Sequence, residues 1–163
     1  RKMILTFGLL SPGKGIEIML NAMPAIIERH PDVFYIILGK THPHIINDTG
    51  DSYRHSLYQL GHHLNLDDHV LFHNQFVDLQ TLIKYMTSAD LYVSPYLNEE
   101  QIVSGTLAYA AGVGTAVVST PYWHARELLA EGRGCLVPFN DPVVLAAKIN
   151  HLLEHEEERN EIR

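Results

Sequence analysis

Short apolar runs alternate with amphipathic stretches along almost the whole of this sequence, and that alternation restricts the chain to a parallel-stranded α/β fold. The opening run MILTFGLL is bounded by Pro12 and Gly13, as a buried strand entering a turn would be. Ile16, Met19, Leu20, Met23, Ile26 and Ile27 then follow at i, i+3, i+4 and i+7 spacing, and Pro31 stops the pattern. The cycle recurs with strands VFYIILG, HVLFHN, DLYVSPY, TAVVST and a short GCLVPF. Helices are expected over 52–64, in LQTLIKYMT, SGTLAYAAG and HARELLAEG, and after Asp141 and Pro142. His42, Pro43 and His44 fall in a polar loop. Strands joined through helices pair in parallel by right-handed crossovers. The expected fold is therefore a Rossmann-like doubly wound parallel α/β sheet of about six strands, with helices on both faces.

A length of 163 residues suits a single domain spanning 1–163, and 46% hydrophobic with 19% charged residues suits a globular rather than a disordered chain. The formal charge of −7 argues against a nucleic-acid partner, whose binding needs clustered Lys and Arg, but leaves room for one focused anion pocket. Cys135 is the sole cysteine, so no disulfide can form within the chain and a reducing, cytoplasmic compartment fits. No apolar run reaches membrane-spanning length. The charged end EHEEERNEIR reads as a solvated helical face. The chain begins abruptly at its first strand, as part of a longer chain would.

In such sheets ligands bind beyond the carboxyl ends of the strands, where helix N-termini offer unpaired N–H groups and partial positive charge. Two loops qualify: GLLSPGKG after the first strand, with Gly8, Gly13 and Lys14, and NEEQIVSGT after the fourth. The first nearly matches G-x-x-x-x-G-K-[ST], yet Gly15 stands where a magnesium-binding hydroxyl belongs, and Asp90 precedes its strand rather than following it. A P-loop NTPase is therefore the third reading, beside a plain Gly/Pro turn with a solvated Lys14. In the second loop, Glu99 and Glu100 could simply complement a helix dipole. Ser104, Gly105 and Thr106 leave backbone uncovered and add hydroxyls, which suits phosphate or sugar oxygens. His42 with His44, and His62 with His63, lack the carboxylate or thiolate partners of a closed metal site and read as surface histidines, so no metal site is expected. His124, beside Pro121 and Trp123, lies on the ligand rim, with no evident partner for acid–base work.

Gly8 through KGIE at 14–17, VFYIILG, DHVLFHNQFV, SADLYVSPYLNE, AYAAGVGTAVVSTPY and ELLAEGRGCLVPFND, in that order and spacing, resemble the C-terminal domain of family 4 retaining glycosyltransferases of the two-domain GT-B fold. The resemblance spans nearly the whole sequence. It implies a domain that binds a nucleotide-diphosphate sugar as donor substrate, with no tightly bound cofactor and no metal. The acceptor sugar or glycan would be held by a separate N-terminal domain. Lys14 matches the lysine that contacts donor phosphate, and Glu99 the first carboxylate of E-x7-E, which bonds sugar hydroxyls. Ile102, Val103 and Ser104 match the helix start that meets the diphosphate. Asn74, Gln75 and Phe76 match the loop beside the nucleotide base. Lys14 and Glu99 are the residues nearest to a catalytic role; the donor nucleotide, whether UDP, GDP or ADP, is left open.

Three positions depart from the family. The second carboxylate of E-x7-E falls on Leu107, the arginine before the KG lysine is Leu9, and the glycine after the third strand is Asn74, a residue tolerant of left-handed backbone. Each lost charge-assisted bond removes roughly 1.5 to 3 kcal/mol of donor binding, which Gln101 or Thr106 would have to replace. Leu9 and Leu107 also suit an alternative, a non-catalytic interaction module built on the same fold.

Overall fold

A computed structural model describes residues 1–101 and 104–163 of the chain. Six strands, β1 (Met3–Phe7), β2 (Phe34–Leu38), β3 (Val70–His73), β4 (Leu91–Ser94), β5 (Val117–Ser119) and β6 (Cys135–Leu136), form one sheet in the order β3-β2-β1-β4-β5-β6. Every pairing is parallel, with Met3 opposite Phe34 and Ile4 opposite Leu91. The helices are α1 (Ile16–Arg29), α2 (Pro43–Thr49), α3 (Ser52–His63), α4 (Leu79–Ser88), α5 (Gly105–Gly112), α6 (Trp123–Leu128), α7 (Pro142–Glu154) and α8 (Glu156–Glu161).

The inner strands β1, β2, β4 and β5 are buried on both sides because each face carries its own layer of helices. Ile4, Tyr35, Ile37, Leu91, Val93 and Val118 meet apolar residues of α1, α3 and α7. The alternate residues Leu5, Phe7, Ile36, Leu38, Tyr92 and Val117 meet α4, α5 and α6. This period-2 division is what continuous apolar strands of a doubly covered sheet produce. Strand order reverses between β1 and β4, so the loops after these two strands flank the topological switch point.

The structure differs from expectation in three places. The first strand stops at Phe7 rather than running through MILTFGLL, because Gly8 takes φ +127°; Leu10 then rejoins the sheet edge through a single bridge to Thr41. The polar stretch after β2 folds into α2, which Pro43 starts and the His42 side chain caps by accepting from the His44 amide at 3.2 Å. The charged end is not simply a solvated face. Arg159 in α8 is only 3% exposed, donates to the Leu152 carbonyl at 2.9 Å and approaches Asp90 at 3.6 Å. Asp90 in turn accepts the Met3 amide at 2.8 Å. A long buried side chain with a half-buried carboxylate beside it thus anchors a segment that looks fully polar in sequence.

Candidate functional site

The β1–α1 loop is suspended between its two neighbouring strands. On the β2 side the Leu10 amide donates to the Lys40 carbonyl at 2.8 Å and the His42 amide to the Leu10 carbonyl at 2.7 Å. On the β4 side the Leu97 amide donates to the Gly13 carbonyl at 3.0 Å. Close approach demands glycine at both ends: a Cβ on Gly15 would fall 2.0 Å from the Pro95 oxygen, and one on Gly39 would fall 2.0 Å from the Gly8 oxygen. Between these contacts a single short turn, Pro12–Lys14, projects Lys14 toward β4. Its Nζ lies 4.2 Å from the Tyr96 ring centroid, a cation–π placement rather than free solvation.

Tyr96 belongs to a compact hydroxyl cluster at the start of α5. Thr106 Oγ1 accepts from the Tyr92 hydroxyl at 3.0 Å and lies 2.8 Å from the Tyr96 hydroxyl and 3.2 Å from Ser104 Oγ. Ser104 Oγ also caps α5 by accepting the Leu107 amide at 3.2 Å. The hydroxyls of Ser104 and Thr106, which in sequence look available to a ligand, are therefore engaged with one another and with two tyrosines. Burial pushes the Tyr96 phenol up, but the Lys14 ammonium and the Ser104 and Thr106 hydroxyls outweigh it and leave Tyr96 below the ordinary tyrosine value. Burial dominates at Tyr92, which is pushed well above that value.

The loop after β4 docks on the N-terminus of α6. The Trp123 amide donates to the Glu99 carbonyl at 3.0 Å and the His124 amide to the Gln101 carbonyl at 3.2 Å. Glu99, exposed at the rim, pairs through Oε1 with Arg126 Nη2 at 2.7 Å. His124 Nδ1 accepts the Ser104 amide at 2.7 Å, which puts the proton of the neutral imidazole on Nε2 and occupies the Ser104 N–H that a ligand would otherwise meet. Ile102 and Val103, matched to the diphosphate-binding helix start, lie outside the described residues.

On the opposite side of Gly8, a cavity of about 150 Å³ opens between Leu9, Gly39, Gln75, Phe76 and Leu82. Phe76 is 69% exposed, and Lys40 Nζ stands 5.3 Å from its ring centroid. Asn74 precedes this pair without using left-handed backbone, which is confined among the described non-glycine residues to Asn65, Glu131 and Asn140. Leu107 is fully buried in a cluster with Leu5, Phe7, Tyr92 and Ala110, so the position that the resemblance would give to a second carboxylate faces the core. No group of three His, Cys, Asp or Glu side chains among the described residues could hold a metal.

Lys14, Gly8, Gly13, Ser104 and Thr106 thus gather around the β1/β4 switch point. Glu99 and Gln101 lie at its β5 side, and Asn74, Gln75 and Phe76 at its β3 side. Sequence reasoning missed Tyr96 beneath Lys14 and Arg126 beside Glu99. Neither had a local signal: Tyr96 reads as the end of an apolar strand, and Arg126 is 27 residues from its partner.

A doubly wound sheet with a glycine loop and a polar helix start meeting at its switch point defines a Rossmann-like domain with a candidate ligand site at that point. The chain belongs to the family described as glycosyl transferases group 1, whose model matches residues 1–155. It is 34% identical over 149 residues to a phosphatidyl-myo-inositol mannosyltransferase of Mycolicibacterium smegmatis, covering 91% of this chain and 35% of that protein. Sucrose-phosphate synthase of Thermosynechococcus elongatus superposes with TM-score 0.84 at 25% identity, covering 99% of this chain and 38% of that one. Anabaena Alr3699/HepE, solved in complex with UDP and glucose, superposes with TM-score 0.80 at 25% identity, covering 98% and 41%. The chain therefore spans little more than a third of the mannosyltransferase's length. Among the described residues no helix is long and apolar enough to cross a membrane.

Proposed function

We propose that this chain is the donor-binding domain of a retaining, family 4-like glycosyltransferase. In this reading it is one half of a GT-B pair that takes a nucleotide-diphosphate sugar and passes a hexose to an acceptor held mainly by an N-terminal partner domain. The observation that carries the reading is the convergence of Lys14 and the α5 start on the switch point, with Lys14 held 4.2 Å above Tyr96. A preorganised ammonium and a helix N-terminus stabilise negative charge as it develops on a departing diphosphate. Glu99 orients the sugar hydroxyls, with Arg126 holding the carboxylate in place. Gln75 and Phe76 flank the base in the cavity beside Gly8. UDP is the first nucleotide to test, because HepE was solved with it. The lone, free Cys135 suits action in a reducing cytoplasm.

Calorimetric titration with UDP-, GDP- and ADP-sugars is the direct test. Binding of one of them, weakened by about one to two powers of ten in Lys14→Ala, is expected. Absence of binding to all of them, with Lys14→Ala indistinguishable from the wild type, would overturn the reading. The burial of Leu107 favours a second reading, a non-catalytic module, because no carboxylate reaches a ribose from that position. Transferase activity of a chain carrying both halves, lost on Glu99→Ala, would eliminate the second reading.

A further inference from the structure

Arg54 in α3 is 3% exposed, yet among the described residues no carboxylate pairs with it. Its Nη2 donates to the Gly39 carbonyl at 2.7 Å and its Nε to Thr41 Oγ1 at 3.2 Å, while Nη1 is buried without any hydrogen-bond partner. Leaving a guanidinium buried and uncompensated is strongly unfavourable unless something negative completes it. The two acceptors it holds could be served by a neutral side chain, so the charge itself calls for a reason.

Its place in the fold supplies one. Gly39 is packed directly against Gly8, and Thr41 forms the bridge to Leu10, so the guanidinium lies beneath the backbone that flanks residues 8–10 of the β1–α1 loop. That loop is where the resemblance places an arginine and this chain has Leu9. We infer that Arg54 supplies, from behind the β1–α1 loop, the second positive charge of the donor diphosphate site, complementing Lys14 in a chain whose formal charge is −7. The inference rests on the donor-binding reading. Arg54 acts through the loop and across a poorly screened interior, where a unit charge is felt over several ångströms. It is thus a positioning and charge-supplying residue that need not touch the ligand.

The test titrates the chain with UDP, uncharged uridine and inorganic pyrophosphate. Arg54→Gln keeps a hydrogen-bonding side chain and removes the charge. It should weaken UDP and pyrophosphate roughly tenfold and leave uridine within about twofold. Arg54→Lys should stay within about threefold of the wild type for all three, and Leu9→Arg added to Arg54→Gln should restore UDP binding. Equal weakening of UDP and uridine would mean that Arg54 only shapes the loop, and unchanged UDP affinity would mean that its charge is not felt; either overturns the inference. Should Arg54→Gln not fold, Leu9→Arg alone decides: a gain in UDP affinity under about threefold is expected if the charge is already present, and a gain of about tenfold or more overturns it. Wild-type binding of pyrophosphate that depends on Arg54, without binding of any nucleotide, would refute the donor reading and leave the charge assignment standing. UDP binding indifferent to Arg54 would do the reverse, and binding of none of the three probes would overturn both.

Discussion

At the scale of single residues, the site depends on pairings that neutralise or redirect the groups most expected to meet a ligand. Glu99 is paired with Arg126, so Arg126→Ala frees the carboxylate without removing it. Donor affinity should then change by less than about tenfold, because an exposed pair of this kind contributes little by itself, whereas Glu99→Ala should lose more; calorimetry distinguishes the two. Lys14 is read from the sequence as a candidate phosphate lysine, but its perch on Tyr96 is not legible there, since nothing in LYVSPY marks one tyrosine as a platform. Lys14→Met should raise the Tyr96 titration, because the ammonium is the largest of the influences that lower it. Absorbance of tyrosinate during alkaline titration reads this, and Tyr96→Phe should remove the same early-ionising phenol. Leu107 makes a sharper case. Leu107→Glu would bury a charge in the core, with a cost of roughly 3 kcal/mol or more visible as a lowered Tm.

At the scale of elements, periodicity identified all six strands and most helices, and it failed where local chemistry competes. The stretch around His42 and His44 looks like a loop because its apolar residues, Ile45 and Ile46, are too few to show a helical stripe. Pro43 and the His42 cap start α2 all the same. The α5 start was legible as a polar helix opening, while its wiring to His124 required the tertiary fold, because residues 104 and 124 meet only through the docking of two connections. Gly15 is the pivot of the β1–α1 loop. Gly15→Ala combines left-handed backbone at φ +68° with a Cβ 2.0 Å from the Pro95 oxygen, so a loss on the order of 3 kcal/mol is expected by chemical denaturation. The Asp78 cap of α4 gives a pH signature. The Thr81 amide, 2.7 Å away, holds the Asp78 carboxyl below its ordinary value, so the folded-state pKa is depressed and the cap's stabilisation is present above the unfolded-state value near 3.8. It is lost as pH falls through the folded-state value. The Tm difference between wild type and Asp78→Ala should therefore shrink on acidification below pH about 4.

At the scale of the whole molecule, helix α8 closes the amino-terminal edge of the sheet through Arg159, Asp90 and the Met3 amide. Arg159→Ala leaves Asp90 half-buried without its cation, and a destabilisation on the order of 2 kcal/mol is expected from thermal melts, with donor binding at the opposite edge unaltered. The sequence by itself determined the class of fold, because continuous apolar strands separated by amphipathic helices admit little besides a doubly covered parallel sheet. It also marked the loops after the first and fourth strands as candidates for a ligand, because glycine, lysine and helix-capping residues sit there. Only the tertiary structure decided which polar groups remain open there. The Ser104 amide, the Thr106 hydroxyl, the Glu99 carboxylate and the Arg54 guanidinium find their partners, or lack one, across 2 to 27 residues of chain. Pairings of that kind follow from how strands and helices pack in three dimensions, and the spacing of residues along a sequence carries no record of them.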